Sequence, residues 1–273
     1  MAHPQIAAFA RLANGSQAPV RTVYGQASHL SRTMHDIRYD EMHDEIFVVN
    51  PFAEAIMTFK GSIAGQEPPI RIIQGPHVKF GGSRLDVDPV HNEIFLPAGN
   101  RIRVYPRDGN GDVAPIRTIE GPDTLLRNAE SLAVDPINNV IVVGFNKQGN
   151  DPDGSILIFN RTDDGNVKPK AVIRGPKSGI VRINQMAVYP QKKLIIAAMP
   201  GHVEMMEPPE AFLGVWTYDD NGDVAPKWKI PVSAKTTLKK PFGVVLNPKN
   251  KEVIISDMRL NGVLTFSVPE IFN

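Results

Sequence analysis

PVRTV (19–23), PIRII (69–73), PIRTI (115–119), PKAVI (169–173) and PKWKI (226–230) are five versions of one phrase, and they decide how this chain is read. Each opens on proline and closes on Val or Ile, and successive copies lie 46 to 57 residues apart. A second phrase follows each of them: DIRYD ending at Asp40, LDVDP with Asp88, LAVDP with Asp135, MAVYP with Tyr189 and VVLNP with Asn247. Six residues after each of these landmarks another apolar run begins, at Ile46, Ile94, Ile141, Ile195 and Val253. A third landmark is an aromatic, Phe59, Tyr105, Phe159 or Trp216, ten residues before the next proline; Phe9 and Phe266 extend that set to six. A fixed period of this length is the signature of a repeat architecture.

Each repeat thus holds four runs rich in Val, Ile and aromatics, too short for helices and bounded by Gly, Asn, Asp and Pro. They read as strands a (the landmark), b, c (the aromatic) and d (the Pro-initiated run). Four antiparallel strands repeated in tandem, with no helical period anywhere, describe the blades of an all-β propeller. The approximate repeats are 19–68, 69–114, 115–168, 169–225 and 226–273 in a single domain, with 6–11 as an extra strand. Near-continuous apolar runs such as VIVVG (140–144) fit strands covered on both faces.

The runs IFVVN (46–50), LAVDP (132–136) and SILIF (155–159) resemble the NHL and YVTN-type propeller repeats, and more loosely the six-bladed gluconolactonase-like group. The resemblance covers about residues 6–273. It implies a propeller fold and leaves activity open, because such repeats serve hydrolases, lyases and plain binding modules alike.

The last repeat supplies strands a, b and c (about 242–247, 252–257 and 262–267) and no d strand. Run 20–24 has d-strand character and is expected to fill that place, giving five-bladed closure. Ile6–Arg11 then becomes a c strand too many, either displaced or belonging to a longer or six-bladed propeller of which this chain is the C-terminal part.

Composition narrows the function. With 30 basic and 29 acidic residues the formal charge is +1, which gives no global pull toward nucleic acid. There is no cysteine, hence no disulfide or thiolate metal site. No run approaches the 18 or so apolar residues of a membrane span, and the opening MAHPQIAAFARLANG lacks a signal peptide's apolar core. A soluble chain is expected, extracytoplasmic only if a native start lies upstream.

Antiparallel order sends the b–c and d–a connections to one end of each blade and the a–b and c–d turns to the other. The a–b turns are constant in length and the c–d turns are built from Asn-Gly and Asp-Gly pairs, so that end is structural. The b–c connections vary, with enlarged ones at FNKQGNDPDG (145–154) and MPGHVEMMEPPEAF (199–212). Variable loops on a constant scaffold are where binding sits, and a small molecule, peptide or protein partner is expected there. In the second loop His202 and Glu204 precede Met205 and Met206, an adaptable contact surface or a lid.

His43 and His91 suggest a metal pair until the repeats are overlaid, when they coincide with Asn138, Lys192 and Asn250 as turn residues. DGNGD (108–112) and DDNGD (219–223) suggest calcium loops, but Ile119 and Ile230 stand where a bidentate Glu is needed. Just before strand a, His35, Asp36, Arg84, Glu130, Asn184 and Gln185 are expected to line a central channel, with Arg38 facing Asp86 and Asp36 facing Arg84 across adjacent blades. Gluconolactonase-like propellers hold a divalent cation with Glu, Asn and Asp around such a channel; the family's flanking motifs are absent here, but Glu130 and Asn184 are of the right types, and the rival reading takes them as ligands of calcium or a similar ion, with His35 or the further channel candidate Asp257 as a proton-transfer group. Two readings therefore stand: a binding propeller, and a metal-dependent lactone or ester hydrolase.

Overall fold

The structure is a computed structural model that describes residues 4–32, 34–147 and 154–273. Among the described residues it contains 21 strands, five single 3-10 turns and one short α-helix, α1 (Pro269–Phe272). The first hairpin is β1 (Gln5–Ala8) and β2 (Arg21–Tyr24). The first full blade is β3 (Asp36–Asp40), β4 (Glu45–Asn50), β5 (Ala55–Lys60) and β6 (Arg71–Ile73). The second is β7 (Asp86–Asp88), β8 (Glu93–Pro97), β9 (Arg101–Pro106) and β10 (Arg117–Glu120). The third is β11 (Ser131–Asp135), β12 (Val140–Phe145), β13 (Ser155–Asn160) and β14 (Ala171–Arg174). The fourth is β15 (Gln185–Tyr189), β16 (Leu194–Met199), β17 (Phe212–Thr217) and β18 (Trp228–Pro231). The last is β19 (Pro241–Asn247), β20 (Glu252–Asp257) and β21 (Gly262–Ser267). The sheets follow chain order as antiparallel meanders: four of four strands, one of three (β19-β20-β21) and one of two (β1-β2). This is the all-β propeller repeat that the sequence predicts, strand for strand.

The chain forms two compact units, residues 1–94 with 104–116, and 95–103 with 117–273. In the first unit a core of Val23, Leu30, Val48, Met57, Phe59 and Ile63 lies between the hairpin and the first blade. In the second, Val142, Ile156, Ile183, Ile195 and Trp216 are packed between blades three and four, and Ile196, Leu213, Ile230, Ile255 and Phe272 between blades four and five. The apolar runs are buried on both sheet faces, which explains why they lack strict alternation.

One device joins neighbouring blades in both units. The closing Val or Ile of a d strand forms an isolated parallel bridge with the glycine of the next c–d turn: Val23 with Gly65 and Ile73 with Gly111 in the first unit, Ile119 with Gly165 and Ile173 with Gly222 in the second. These glycines sit at φ between +65° and +78°, a left-handed conformation that a side chain disfavours. At each junction two backbone hydrogen bonds cross between blades, such as Gly111 N to Ile72 O at 2.7 Å and Gln74 N to Gly111 O at 3.0 Å.

Pairing of run 20–24 departs from expectation. Run 20–24 does not become the fourth strand of the last blade: β2 pairs with β1, from Gln5 opposite Tyr24 to Ala8 opposite Arg21, and β21 pairs with β20 in its three-stranded sheet. A d strand reaches the c strand just before it through a connection of 12 residues (9–20) that carries Asn14-Gly15. That costs little loop-closure entropy, and the local pairing wins over a distant one.

Candidate binding face

The a–b turn shows what the landmark residues do. Asp40 Oδ1 accepts from the backbone N–H groups of Met42 and His43, and its Oδ2 meets His43 Nδ1 at 2.8 Å. Asp88 repeats this with Val90, His91 N and His91 Nδ1. Asp135 does so with Ile137 N, Asn138 N and Asn138 Nδ2. The turn then exits through a left-handed residue, Asp44, Asn92, Asn139, Lys193 or Lys251. His43 and His91 are therefore turn residues held by a buried carboxylate.

Residues before strand a divide by environment. In the first unit His35 is exposed, while the Asp36 carboxylate is buried. Asp36 accepts from Arg38 Nη1 at 2.9 Å and from Leu85 N at 3.2 Å, and Arg38 Nε reaches Asp86 at 3.0 Å. The Asp36 and Asp86 carboxylates hold the Arg38 guanidinium above its ordinary pKa despite the opposing effect of burial, so the group stays charged. The Arg38–Asp86 pair is as expected; Arg84 places Nη1 3.0 Å from the His35 carbonyl oxygen. In the second unit Glu130 is half-buried and accepts from Asn128 Nδ2 at 3.3 Å. Asn184 is buried, donating from Nδ2 to the Phe242 carbonyl at 2.7 Å. Gln185 Oε1 accepts from Val244 N at 2.7 Å. Both amides thereby tie blade four to blade five. Asp257, also buried, spends its carboxylate on four backbone N–H groups, those of Lys239, Lys240, Arg259 and Leu260. That is a structural cap. Among the described residues no group of three or more His, Asp or Glu side chains is placed to hold a metal ion.

Sequence reasoning missed a constant element inside the d–a connections. Gly25, Gly75, Gly121 and Gly175 follow the d strands at φ +83° to +147°, and the last three precede proline. A Cβ on Gly75 would lie 2.4 Å from Asp112, and one on Gly121 2.4 Å from Asn166. Those same side chains accept from the turn, Asp112 from His77 N and Asn166 from Asp123 N. The recurring Gly-Pro dipeptide was the readable signal. The start of these four d–a connections is thus a blade-to-blade splice, which leaves their later parts and the b–c loops free to differ; the connection after β18 carries no such glycine.

Two features occupy the b–c/d–a end of the second unit. One is a depression of about 450 Å3 lined by Asn100, Arg101, Glu120, Leu125, Leu126 and Arg127. Its sources are one b–c turn and one d–a connection, and Arg101 Nε pairs with Glu120 at 3.2 Å across it. Depressions of similar size, about 340 and 460 Å3, lie at the opposite end of the blades, the first in the second unit and the other in the first. Cavity size therefore does not single out one end.

The other feature is the 199–212 loop. Gly201 turns at φ +71° against Pro208, and Glu210 accepts from His202 N at 2.9 Å. Lys240 Nζ donates to the Met205 carbonyl, and Glu207 pairs with Lys239 at 3.0 Å and Arg259 at 3.2 Å. These two cations hold the Glu207 carboxyl below its usual range. With its backbone pinned, the loop turns Val203, Met205 and Met206 outward at 65%, 43% and 66% exposure. Glu204 is exposed among them. The other enlarged loop, 145–154, lies largely outside the described residues.

No protein-family model matches the sequence, and no curated protein is similar to it. Among solved structures, the chain is similar to one in the crystal structure of a mitotic checkpoint complex, with a TM-score of 0.59 and 15% identity over 93% of this chain. The match spans 66% of that chain, just under two thirds of its length, and at such identity the likeness is one of fold: the β-propeller.

Proposed function

We propose that this chain is a binding propeller that engages a protein partner through the b–c/d–a end of its blades, with the 199–212 loop as the principal contact element. The observation that carries this reading is the outward Val203, Met205 and Met206 on a loop pinned by Lys239, Lys240 and Arg259. Apolar side chains fixed in water by salt bridges below them cost solvation and add nothing to the core. Methionine, flexible and polarisable, adapts to partner surfaces. Resemblance to NHL and YVTN-type repeats, and the presence of a similar fold in a multiprotein complex, favour the same reading.

A photo-crosslinking residue placed at Met206, compared with one at the exposed Ile137 of an a–b turn, tests this in cells. Adducts concentrated at position 206, and lost when Val203→Ser and Met205→Ser are combined with the probe at 206, are the expected result. Adducts concentrated at 137 would place recognition at the other end. A stoichiometric divalent ion in protein purified without chelator would turn the reading toward a hydrolase.

A further inference from the structure

The five d strands share a backbone contact that, among the described residues, the last blade does not make. The carbonyl oxygen preceding the c-strand aromatic position, on Ala8, Thr58, Val104, Ile158 and Val215, accepts from the N–H just after the d-strand proline, each at 2.7 to 2.8 Å. Thr265 holds that place before Phe266, but β21 pairs with β20 in a sheet that has no d strand. Burial differs accordingly. Three residues before the aromatic, Ile56, Ile102, Ile156 and Leu213 are 0% exposed, whereas Val263 is 68% exposed. An edge of this kind is a template for strand addition.

The chain itself specifies what fits that edge. Every d run has proline first and Val or Ile fifth, and Val23, Ile73, Ile119, Ile173 and Ile230 are all buried. Its third residue follows the first residue of strand b. Glu45 opens β4 and Arg71 stands third in its d run, with Arg71 Nη2 2.6 Å from Glu45 Oε2. The second repeat carries Glu93 and Arg117 at these positions; the third has Val140 and Ala171, and the fourth Leu194 and Trp228. The last blade opens strand b with Glu252, half-buried opposite Ser267 of β21. Charge complementarity therefore calls for arginine at the third position.

We infer that β21 is a docking edge for an extended Pro-x-Arg-x-(Ile/Val) segment of a different polypeptide, which adds as a fourth antiparallel strand with its arginine on Glu252. A second copy of this chain is disfavoured because its own d strands are already paired, and β2 is further held by Tyr24 N to Gly65 O and Gly65 N to Thr22 O. This edge is separate from the 199–212 loop, and its test does not depend on that loop.

The probe is a fluorescent peptide carrying residues 67–76, EPPIRIIQGP, titrated with the full chain. Saturable binding, with amide-exchange protection gained at Gly262–Ser267, is the expected result. Replacing the peptide's arginine by glutamate should weaken binding about tenfold or more, equivalent to about 1.4 kcal/mol, and the Glu252→Lys protein should prefer the glutamate peptide. Because the peptide exchange leaves the protein unaltered, a folding defect in Glu252→Lys does not obscure the result. Absence of binding, or equal binding of both peptides, would overturn the inference. So would concentration-dependent self-association that the peptide dissolves, since the occupant is then a second copy.

Discussion

Replacing Asp135 by alanine offers the sharpest test of how the blade turns are held. Its carboxylate is buried and accepts four hydrogen bonds: Ile137 N at 2.8 Å, Asn138 N at 2.9 Å, Asn138 Nδ2 at 2.7 Å and the Tyr218 hydroxyl at 2.7 Å. Some of that loss is recoverable. Ile137 is exposed, so water can reach the turn, and Asn138 Nδ2 keeps the Pro190 carbonyl at 2.9 Å. The Tyr218 hydroxyl loses an ionised acceptor in a half-buried site. Counting about 1.5–3 kcal/mol for that bond and about 1 kcal/mol for each turn donor gives a cost of about 3–5 kcal/mol. Asn247 occupies the same landmark in the last blade, yet it is half-exposed and accepts only at 3.4 and 3.1 Å from Asn250. Asn247→Ala should cost about 1 kcal/mol. Trp216 and Trp228 lie in the same unit as both positions, so tryptophan fluorescence during urea unfolding reports on each substitution. With a slope of about 3 kcal/mol/M, Asp135→Ala should lower the midpoint by about 1–1.7 M and Asn247→Ala by about 0.3 M. Asp135→Asn, which keeps Oδ1, should fall between. If Asp135→Ala and Asn247→Ala shift the midpoint equally, the carboxylate is not the tie that the distances imply.

Burial and the Asp135 carboxylate push the Tyr218 phenol well above its ordinary value, so the folded state keeps a proton that the unfolded chain releases near pH 10. Above about pH 10 the unfolded state binds fewer protons, and stability must fall with rising pH; urea midpoints between pH 8 and 11 should show a shallower fall in Tyr218→Phe than in wild type. Gly121→Ala should cost about 2–4 kcal/mol in thermal unfolding, from φ +129° and the 2.4 Å approach of Asn166, while Gly165→Ala, at φ +67° with open space around it, should cost about 1–2 kcal/mol; equal losses would refute the splice. Asn184→Ala should cost about 1–3 kcal/mol because it strands the Phe242 carbonyl, and Glu130→Ala under about 1 kcal/mol, a difference that chemical denaturation would resolve. A reversed order would mean that Glu130, not Asn184, sits in a buried network.

The sequence by itself determined the strands and the turns between them. Repeated Val and Ile runs, their fixed offsets and the Asp-x-x-His turns at 40–43 and 88–91 act over a few residues, so the pattern carries its own meaning in every copy. The demotion of His43 and His91 to turn residues came from the same logic, and the hydrogen bonds to Asp40 and Asp88 bear it out. Only the tertiary structure decided what depends on residues distant in the chain. Asp257 looked available for proton transfer until its carboxylate met four backbone donors, two of them 17 and 18 residues away. Asn184 looked like a channel residue until the Phe242 carbonyl, 58 residues on, took its amide. Outward exposure of Met205 and Met206 required Lys239, Lys240 and Arg259 beneath the loop. Strand pairing at the first hairpin was likewise settled by competition: β2 has d-strand character wherever it pairs, and β1, 12 residues away, closes a far smaller loop than a partner at the other end of the chain.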